Sequence, residues 1–530
     1  MNTCAYLEKA ARQWGDNLAY VHGADSIDYR GFYDRVLRLA GGLLALGLQR
    51  GDRVAYALPN SPRILETVYA CFAAGLIVVP INARLHPREM AYIATDSAAR
   101  VLIYGPTFDE GLREHRALFG TVEHWIGIEP HAGAAVFEEI LQSGPRLERP
   151  VDVDPTEPCW LFYTSGTTGR PKGATWSHRT TSAVTMNYLA DVYNIQPGEV
   201  VLHTAPMSHG SGIVAMPVVA RGATNAIMDT ASFDPKSLFE TIERTRTSHI
   251  AFVAPTQIIA MLDAFKPGEY DLSGLRAICY GGAPIYVEQL RRAIDAFGPI
   301  FTQIYGQGEA PITISGLPAS AHRSLIEAGD GRIGSAGQVR TDVEVRIIGP
   351  DDEILPLGSV GEIVARGDVV MLGYWNNPEA TAETLRDGWL HTGDVGLLDD
   401  QGYLYLLDRA KDIIISGGNN IYPREVEEVI VQHPGVFNCV VLGVPHDYWG
   451  EAVHAVVMPE AGVELDEQEI IGFCSQYLAG YKKPKSVEIV DELPLSGYGK
   501  VQRREMREKY WVGHGRAIGG GGIDQPEHSA

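Results

Sequence analysis

The chain has 530 residues, 45% hydrophobic and 21% charged, and a formal net charge of −22. That is an ordinary globular composition at a length calling for two or more cores. The negative excess opposes non-specific binding to nucleic acid or anionic membranes. The longest nearly apolar run, 71–81, is broken by Gly75 and Pro80 and is too short to be an integral membrane segment.

Residues 1–16 carry Glu8, Lys9, Arg12 and Asp16, so no unbroken apolar stretch marks a signal peptide. Ala5, Leu7, Ala10, Ala11 and Trp14 predict an amphipathic surface helix instead. Next come a strand over 52–57, a helix over 62–74, a strand over 76–81, a helix over 87–95 and a strand over 100–104. Such alternation predicts an α/β fold with a parallel sheet covered by helices, and the rhythm returns over 200–304. Over 334–405 it gives way to short strands with Gly and Pro turns, as expected for a small β-barrel-like part. Past Asp408, a charged helix (424–432), strands (437–444 and 452–458), a helix (467–478) and a strand (486–490) predict a compact α+β unit.

The expected organisation is a large domain over 1–408, with a β-rich subdomain at about 334–407, then a smaller domain over 409–512. The tail 513–530 holds Gly519 to Gly522, lacks apolar periodicity and is expected to be disordered. No internal repeat is present. The six cysteines (Cys4, Cys71, Cys159, Cys279, Cys439, Cys474) form no CxxC pair and have no neighbouring His cluster. Neither a disulfide framework nor a zinc site is expected, and the reading is cytoplasmic.

The densest chemical signal is YTSGTTGRPKG over 163–173, after the apolar strand 159–162. Its glycines allow a tight fold that presents N–H groups to an anion. The hydroxyls of Thr164, Ser165, Thr167 and Thr168 add donors, and Lys172 adds a positive charge. Pro171 stands where a Walker A loop needs glycine, so this is a different phosphate loop.

The loop resembles the signature of the adenylate-forming superfamily: acyl- and aryl-CoA synthetases, adenylation domains of peptide synthetases and firefly luciferases. The resemblance runs over roughly 29–504 and rests on several motifs in the family's order. It implies a large N-terminal domain followed by a smaller, mobile C-terminal one. It implies ATP, Mg²⁺ and coenzyme A as cofactor and co-substrates, a small-molecule carboxylic acid as partner and, at most, a homodimer.

By the resemblance, Thr164, Ser165, Gly166, Thr167, Thr168, Gly169 and Lys172 hold the ATP phosphates, and Thr168 also faces the metal. Gly281, Gly282 and Ala283, in YGGAP after an apolar strand at 275–279, wall the adenine site. In YGQGE over 305–309, similar to the family's YGxTE, Tyr305 stacks on adenine and Gly306 and Gln307 line the nucleotide. Glu309 in the same motif binds Mg²⁺. The family's usual threonine is Gly308 here, so one phosphate-binding hydroxyl is missing. Its glycine reads as room for an acyl group or a neighbouring side chain. Asp394 in GWLHTGD and Arg409 hold the ribose, Lys411 is the hinge, and Lys500 in the terminal GK motif bridges carboxylate and α-phosphate.

His209, in PMSHGSG, is the resemblance's gate beside the substrate carboxylate, with Gly282 and Asn420 completing the acyl pocket. Gly417 and Gly418 line the pantetheine path. Arg84 and Trp449 match CoA-nucleotide contacts of some relatives, with a surface or packing role as the alternative for each. Apolar Ile213, Val214, Phe252, Val253 and Ile304 suggest a hydrophobic fatty or aryl acid.

The expected reaction is acid, ATP and CoA to acyl-CoA, AMP and pyrophosphate through an acyl-adenylate. The alternatives are an adenylation enzyme loading a carrier protein, or a relative impaired in adenylation. No acid stands in 210–217 to hold a substrate amine, and no carrier domain follows, which favours CoA and a non-amino acid.

Overall fold

The computed structural model describes residues 1–106, 111, 114–130, 133–164, 170–230, 233–283, 285–409, 412–494 and 501–512. The first strands lie within a residue or so of where the alternation predicts them. Arg53–Leu58, Ile77–Asn82 and Ala99–Tyr104 pair in parallel. Every residue of Ile77–Asn82 is buried, as a strand covered on both faces requires. The helix Pro62–Ala74 starts on a proline, whose missing N–H costs nothing there. It stops at Gly75, whose φ of +69° a side chain would resist.

These strands belong to an eight-stranded sheet. Its order is Gly373–Tyr374, Lys172–Ser177, Pro158–Thr164, Ile77–Asn82, Arg53–Leu58, Ala99–Tyr104, His124–Gly127, Ala135–Val136. A nine-stranded sheet runs Gln338–Val339, Ser315–Leu317, Phe301–Tyr305, Ala277–Gly281, His249–Val253, Val200–His203, Thr224–Ile227, Leu18–His22, Asp25–Asp28. From Leu18–His22 to Phe301–Tyr305 its pairings are parallel. Its carboxyl-terminal strand ends therefore deliver residues 252–254, 281–283 and 305–309 to one edge, the usual place for a ligand in such sheets.

The N-terminal helix is Ala5–Gln13, with Leu7 and Ala10 buried and Glu8 and Arg12 exposed. The barrel-like unit expected near 334–407 takes the form of a five-stranded sheet. Glu344–Ile348, Gly361–Arg366, Trp389–Leu398 and Leu385–Arg386 lie in that order, with Leu404–Arg409 beside Trp389–Leu398.

The chain divides into two compact units. The first holds Met1–Ile285, Gln289–Thr392 and Leu397–Tyr405; the second holds Tyr286–Glu288, Gly393–Gly396 and the chain from Leu406 onward. In the second, Val436–His446 and Gly450–Pro459 form a long antiparallel hairpin extended by Ile414–Ser416 and Asn419–Ile421. Val426, Ile430, Val441, Val453 and Ile470 pack as its core. Within that core Glu427 accepts from the Val441 N–H and from Arg503, each at 2.7 Å. The buried carboxylate is thus paired and hydrogen-bonded, as burial of a charge demands.

The helix expected over 467–478 ends earlier, at Cys474. Ser475 Oγ donates to the Ile471 carbonyl, and the Gln476 N–H turns to Phe473 O, an i−3 bond that tightens the chain out of α-geometry. All six cysteines are free and buried. Among the described residues no helix is long and apolar enough to cross a membrane.

Candidate functional site

In the first unit the antiparallel strands Pro158–Thr164 and Lys172–Ser177 bring Thr164 opposite Lys172. Both ends of the candidate phosphate loop are thereby fixed. Ser165, Gly166, Thr167, Thr168 and Gly169 lie outside the described residues. The stem is pinned further by two tyrosines. The Tyr163 hydroxyl donates to Asp96 Oδ2 at 2.7 Å, and the Tyr92 hydroxyl donates to the Pro171 carbonyl at 3.2 Å.

Glu309 sits beside this stem, 8% exposed. Its Oε1 accepts from Thr164 Oγ1 at 3.2 Å and from the Tyr374 hydroxyl at 2.7 Å. Lys172 Nζ lies 5.1 Å from the Tyr374 ring centroid. Cation, phenol and carboxylate therefore share one corner with the loop stem. Among the described residues no group of three or more His, Cys, Asp or Glu side chains could hold a metal ion. A Mg²⁺ here would be held by Glu309 together with phosphate oxygens and water, the coordination this ion takes beside nucleotides.

The glycine at 308 has a packing cause. A Cβ built on it would lie 2.1 Å from Thr164 Cγ2 and 2.8 Å from Phe162 Cδ1, inside any real contact. Neighbouring side chains, not an acyl group, fill the place of the family's threonine. The Gly308 carbonyl accepts from Trp176 Nε1 at 2.7 Å. Gln307 closes a tight turn with Ala310, and its side chain donates to the Thr392 carbonyl at 2.8 Å. Gly306 is equally crowded, since a Cβ there would meet Ala310 O at 2.5 Å.

Tyr305 ends its strand largely buried. Gly281 lies against the neighbouring strand, where a Cβ would meet Ile304 O at 2.5 Å, and Gly282 has φ +77°. Ala283 follows at the same strand end.

His209 precedes the helix Gly210–Ala220. Its Nδ1 lies 2.9 Å from Ser208 Oγ, and its ring meets Phe162 edge-on at 5.1 Å. Gly210 packs over the Phe252 ring. Ile213, Val214, Val253 and Ile304 are buried, and Phe252 is half-buried, so this side of the first unit is apolar. Arg84 is exposed after the strand Ile77–Asn82, its N–H held by Asn82 Oδ1.

In the second unit Arg409 Nε lies 2.7 Å from Asp394 Oδ1, so the two ribose candidates form an ion pair. Asp408 beside them is pushed up to about 6, chiefly by burial. Gly417 and Gly418 make the turn between Ile414–Ser416 and Asn419–Ile421 with φ of +56° and +82°. The Gly417 N–H donates to Trp449 O at 2.8 Å. Trp449 stacks on His446 at 4.4 Å, with Lys485 Nζ 5.1 Å from its ring. Asn420 is exposed on that hairpin. Lys411 and Lys500 lie outside the described residues.

Three side chains escaped the sequence reading: Phe162, Trp176 and Tyr374. Each reaches the site through strand pairing. Tyr374 stands opposite Ala174, and Trp176 stands opposite Trp160, four residues along the same strand from Lys172. The alternation Lys172, Ala174, Trp176 puts these residues on one face, but nothing local says that Gly308 lies beneath it.

A model of the AMP-binding enzyme family matches residues 7–375, and a model of the AMP-binding enzyme C-terminal domain matches residues 425–500. A feruloyl-CoA synthase of Amycolatopsis sp. is 40% identical over 504 residues, 95% of this chain and 98% of that protein. An indoleacetate–CoA ligase of Aromatoleum aromaticum is 35% identical, covering 89% of this chain and 91% of its own. The crystal structure of ATP-bound MatB from Rhodopseudomonas palustris superposes with a TM-score of 0.86 at 30% identity, over 96% of this chain and 99% of that one.

Proposed function

The chain belongs to the AMP-binding enzyme family and is an ATP-dependent, AMP-forming acyl-CoA synthetase, and from that premise we propose that its acid is a hydrophobic aryl carboxylate of the arylpropenoate class. The observation that carries the reading is the 40% identity to a feruloyl-CoA synthase along almost the whole of both chains. The apolar side built on Ile213, Val214, Phe252, Val253 and Ile304, with aromatic Phe162 against His209, suits a flat apolar acid.

A carboxylate is a poor electrophile because its oxygen is a poor leaving group. Joining it to the α-phosphate of ATP replaces that oxygen by AMP. In this reading Thr164, Lys172 and the loop 165–169 bind the phosphates. Glu309 would hold Mg²⁺, whose charge would neutralise phosphate oxygens. Tyr305 and 281–283 receive adenine, and Asp394 with Arg409 the ribose. His209 borders the acyl carboxylate, and Lys500 compensates charge in the transition state. The 417–420 turn with Trp449 then receives CoA. The buried free thiols agree with a reducing, cytoplasmic setting.

The test is ATP- and CoA-dependent thioester formation over short, medium and long fatty acids and a set of aryl acids. Aryl acids are expected to give the highest kcat/KM. A long-chain fatty acid preferred by about tenfold or more, which is about 1.4 kcal/mol of transition-state binding, refutes the substrate class. Lys500→Ala should abolish pyrophosphate release yet spare thioester formation from supplied acyl-AMP. Equal loss of both half-reactions refutes a role confined to the adenylation step.

A further inference from the structure

One internal cluster joins three motif segments, and two of its members, Trp160 and Trp176, have no part in the roles above. Trp176 is fully buried, at 0% exposure. Its indole lies against Trp160 at 5.4 Å and stacks on Phe162 at 4.9 Å with a 15° interplanar angle. Phe162 in turn meets His209 edge-on. Of the two neighbouring indoles, Trp160 has no partner for its buried N–H among the described residues, while Trp176 donates to Gly308 O at 2.7 Å. That carbonyl belongs to the peptide leading directly into Glu309. The same Thr164 whose hydroxyl meets Glu309 turns its methyl to where a Cβ at 308 would stand.

We propose that Trp176 is a positioning residue for adenylation, holding the Gly308–Glu309 peptide through its N–H while Phe162 and the Thr164 methyl fill the space of a 308 side chain. Glycine at 308 is then imposed by the scaffold behind it, and Thr164 and Gly308 are matched partners. The N–H of Trp176 fixes the peptide, the Thr164 and Tyr374 hydroxyls fix the carboxylate, and Met371 N–H holds the Glu309 carbonyl at 2.8 Å. Each constraint removes a rotation that Glu309 would otherwise have to freeze on binding a cation. The proposal rests on the reading of Glu309 as the Mg²⁺ contact.

The test uses the full chain and follows pyrophosphate release against Mg²⁺ concentration, beside thioester formation from supplied acyl-AMP, well below the melting midpoint. Trp176→Phe keeps an aromatic ring against Phe162 and removes only the donor. It should lower the adenylation rate and raise the half-saturating Mg²⁺ by roughly tenfold, the usual cost of losing an outer-shell partner, with the second half-reaction spared. Gly308→Ala should also lose adenylation, and Thr164→Ser, which keeps the hydroxyl and removes the methyl, should restore part of it in the double variant, Phe162 Cδ1 at 2.8 Å remaining to crowd the new Cβ. Parental rate and Mg²⁺ dependence in Trp176→Phe overturn the positioning role, whatever happens to its melting point. A loss in Gly308→Ala that Thr164→Ser does not relieve overturns the matched pair. Glu309→Gln separates the two levels. If it changes Mg²⁺ dependence and Trp176→Phe does not, only this proposal falls. If it too is parental, Glu309 is not the cation contact and both readings fall together.

Discussion

Gly308 in the first unit and Gly418 in the second are both glycine, for opposite reasons. Around Gly308 there is no room: Thr164 and Phe162 exclude a Cβ, while the backbone is not left-handed. Around Gly418 there is open space to 4 Å, but its φ of +82° is a conformation that side chains resist. One glycine is selected by its neighbours, the other by its own dihedral. The surroundings of Gly308 are therefore a packed wall, intolerant of volume, and the 417–418 turn is an exposed bend, intolerant only of the wrong torsion.

The contrast is tested most severely by Gly308→Thr, which restores the family's residue. Overpacking of this kind costs about 1–3 kcal/mol, so adenylation should fall roughly ten- to a hundredfold across all acids. Pyrophosphate release measures it, and a gain in rate would mean the wall yields. Gly418→Val should cost about 1–2 kcal/mol, from a β-branched side chain in a left-handed position, and should leave adenylation untouched. Gly418→Asn should change little, since Asn tolerates that region. Equal effects of Val and Asn on thermal stability would show that space, not torsion, selects Gly418.

Acid should separate the two units more gently. His203, His178 and His322 are pushed down to about 4, and His249 to about 3, chiefly by burial in the first unit. The unfolded chain protonates such groups near 6.5, so their stabilisation is present above that pH and is lost as pH falls through 6.5 towards 4. Asp408, in the second unit, has the opposite sign. Raised to about 6, it holds a proton in the folded state that the unfolded chain releases above about 3.8, so its contribution is present at low pH and lost as pH rises through 6. His454, also lowered by burial, opposes Asp408 within that unit. Hydrogen exchange compared at about pH 7 and pH 5 should show protection falling more in the first unit. Uniform loss would remove the distinction.

The order of strands and helices was legible because buried parallel strands and their helices write different periods into the chain, as at 53–58, 62–74 and 77–82. The end of the helix at Cys474 was not legible, because the Ser475 side-chain bond to the Ile471 carbonyl and the i−3 bond of Gln476 leave no mark on the apolar periodicity. In the site, Glu309, Asp394 and Arg409 stood out through motif resemblance. The structure brings Asp394 to Arg409, and Glu309 to Thr164. Trp176, Phe162 and Tyr374 did not stand out, because their importance depends on which strand lies beside which. The sequence marks Gly308 as unusual but carries no measure of the space around it.

The burial of all six thiols has a consequence for the enzyme's own survival. An acid–thiol ligase makes an activated acyl group whose intended acceptor is a thiol, so any accessible cysteine is a rival for it. The reactive species is the thiolate. Burial pushes Cys279 up to about 12 and Cys474 up to about 11, and it raises Cys4, Cys71, Cys159 and Cys439 as well. At neutral pH the chain offers almost no nucleophilic sulfur of its own, and self-acylation at cysteine is suppressed by the same packing that makes these residues part of the core.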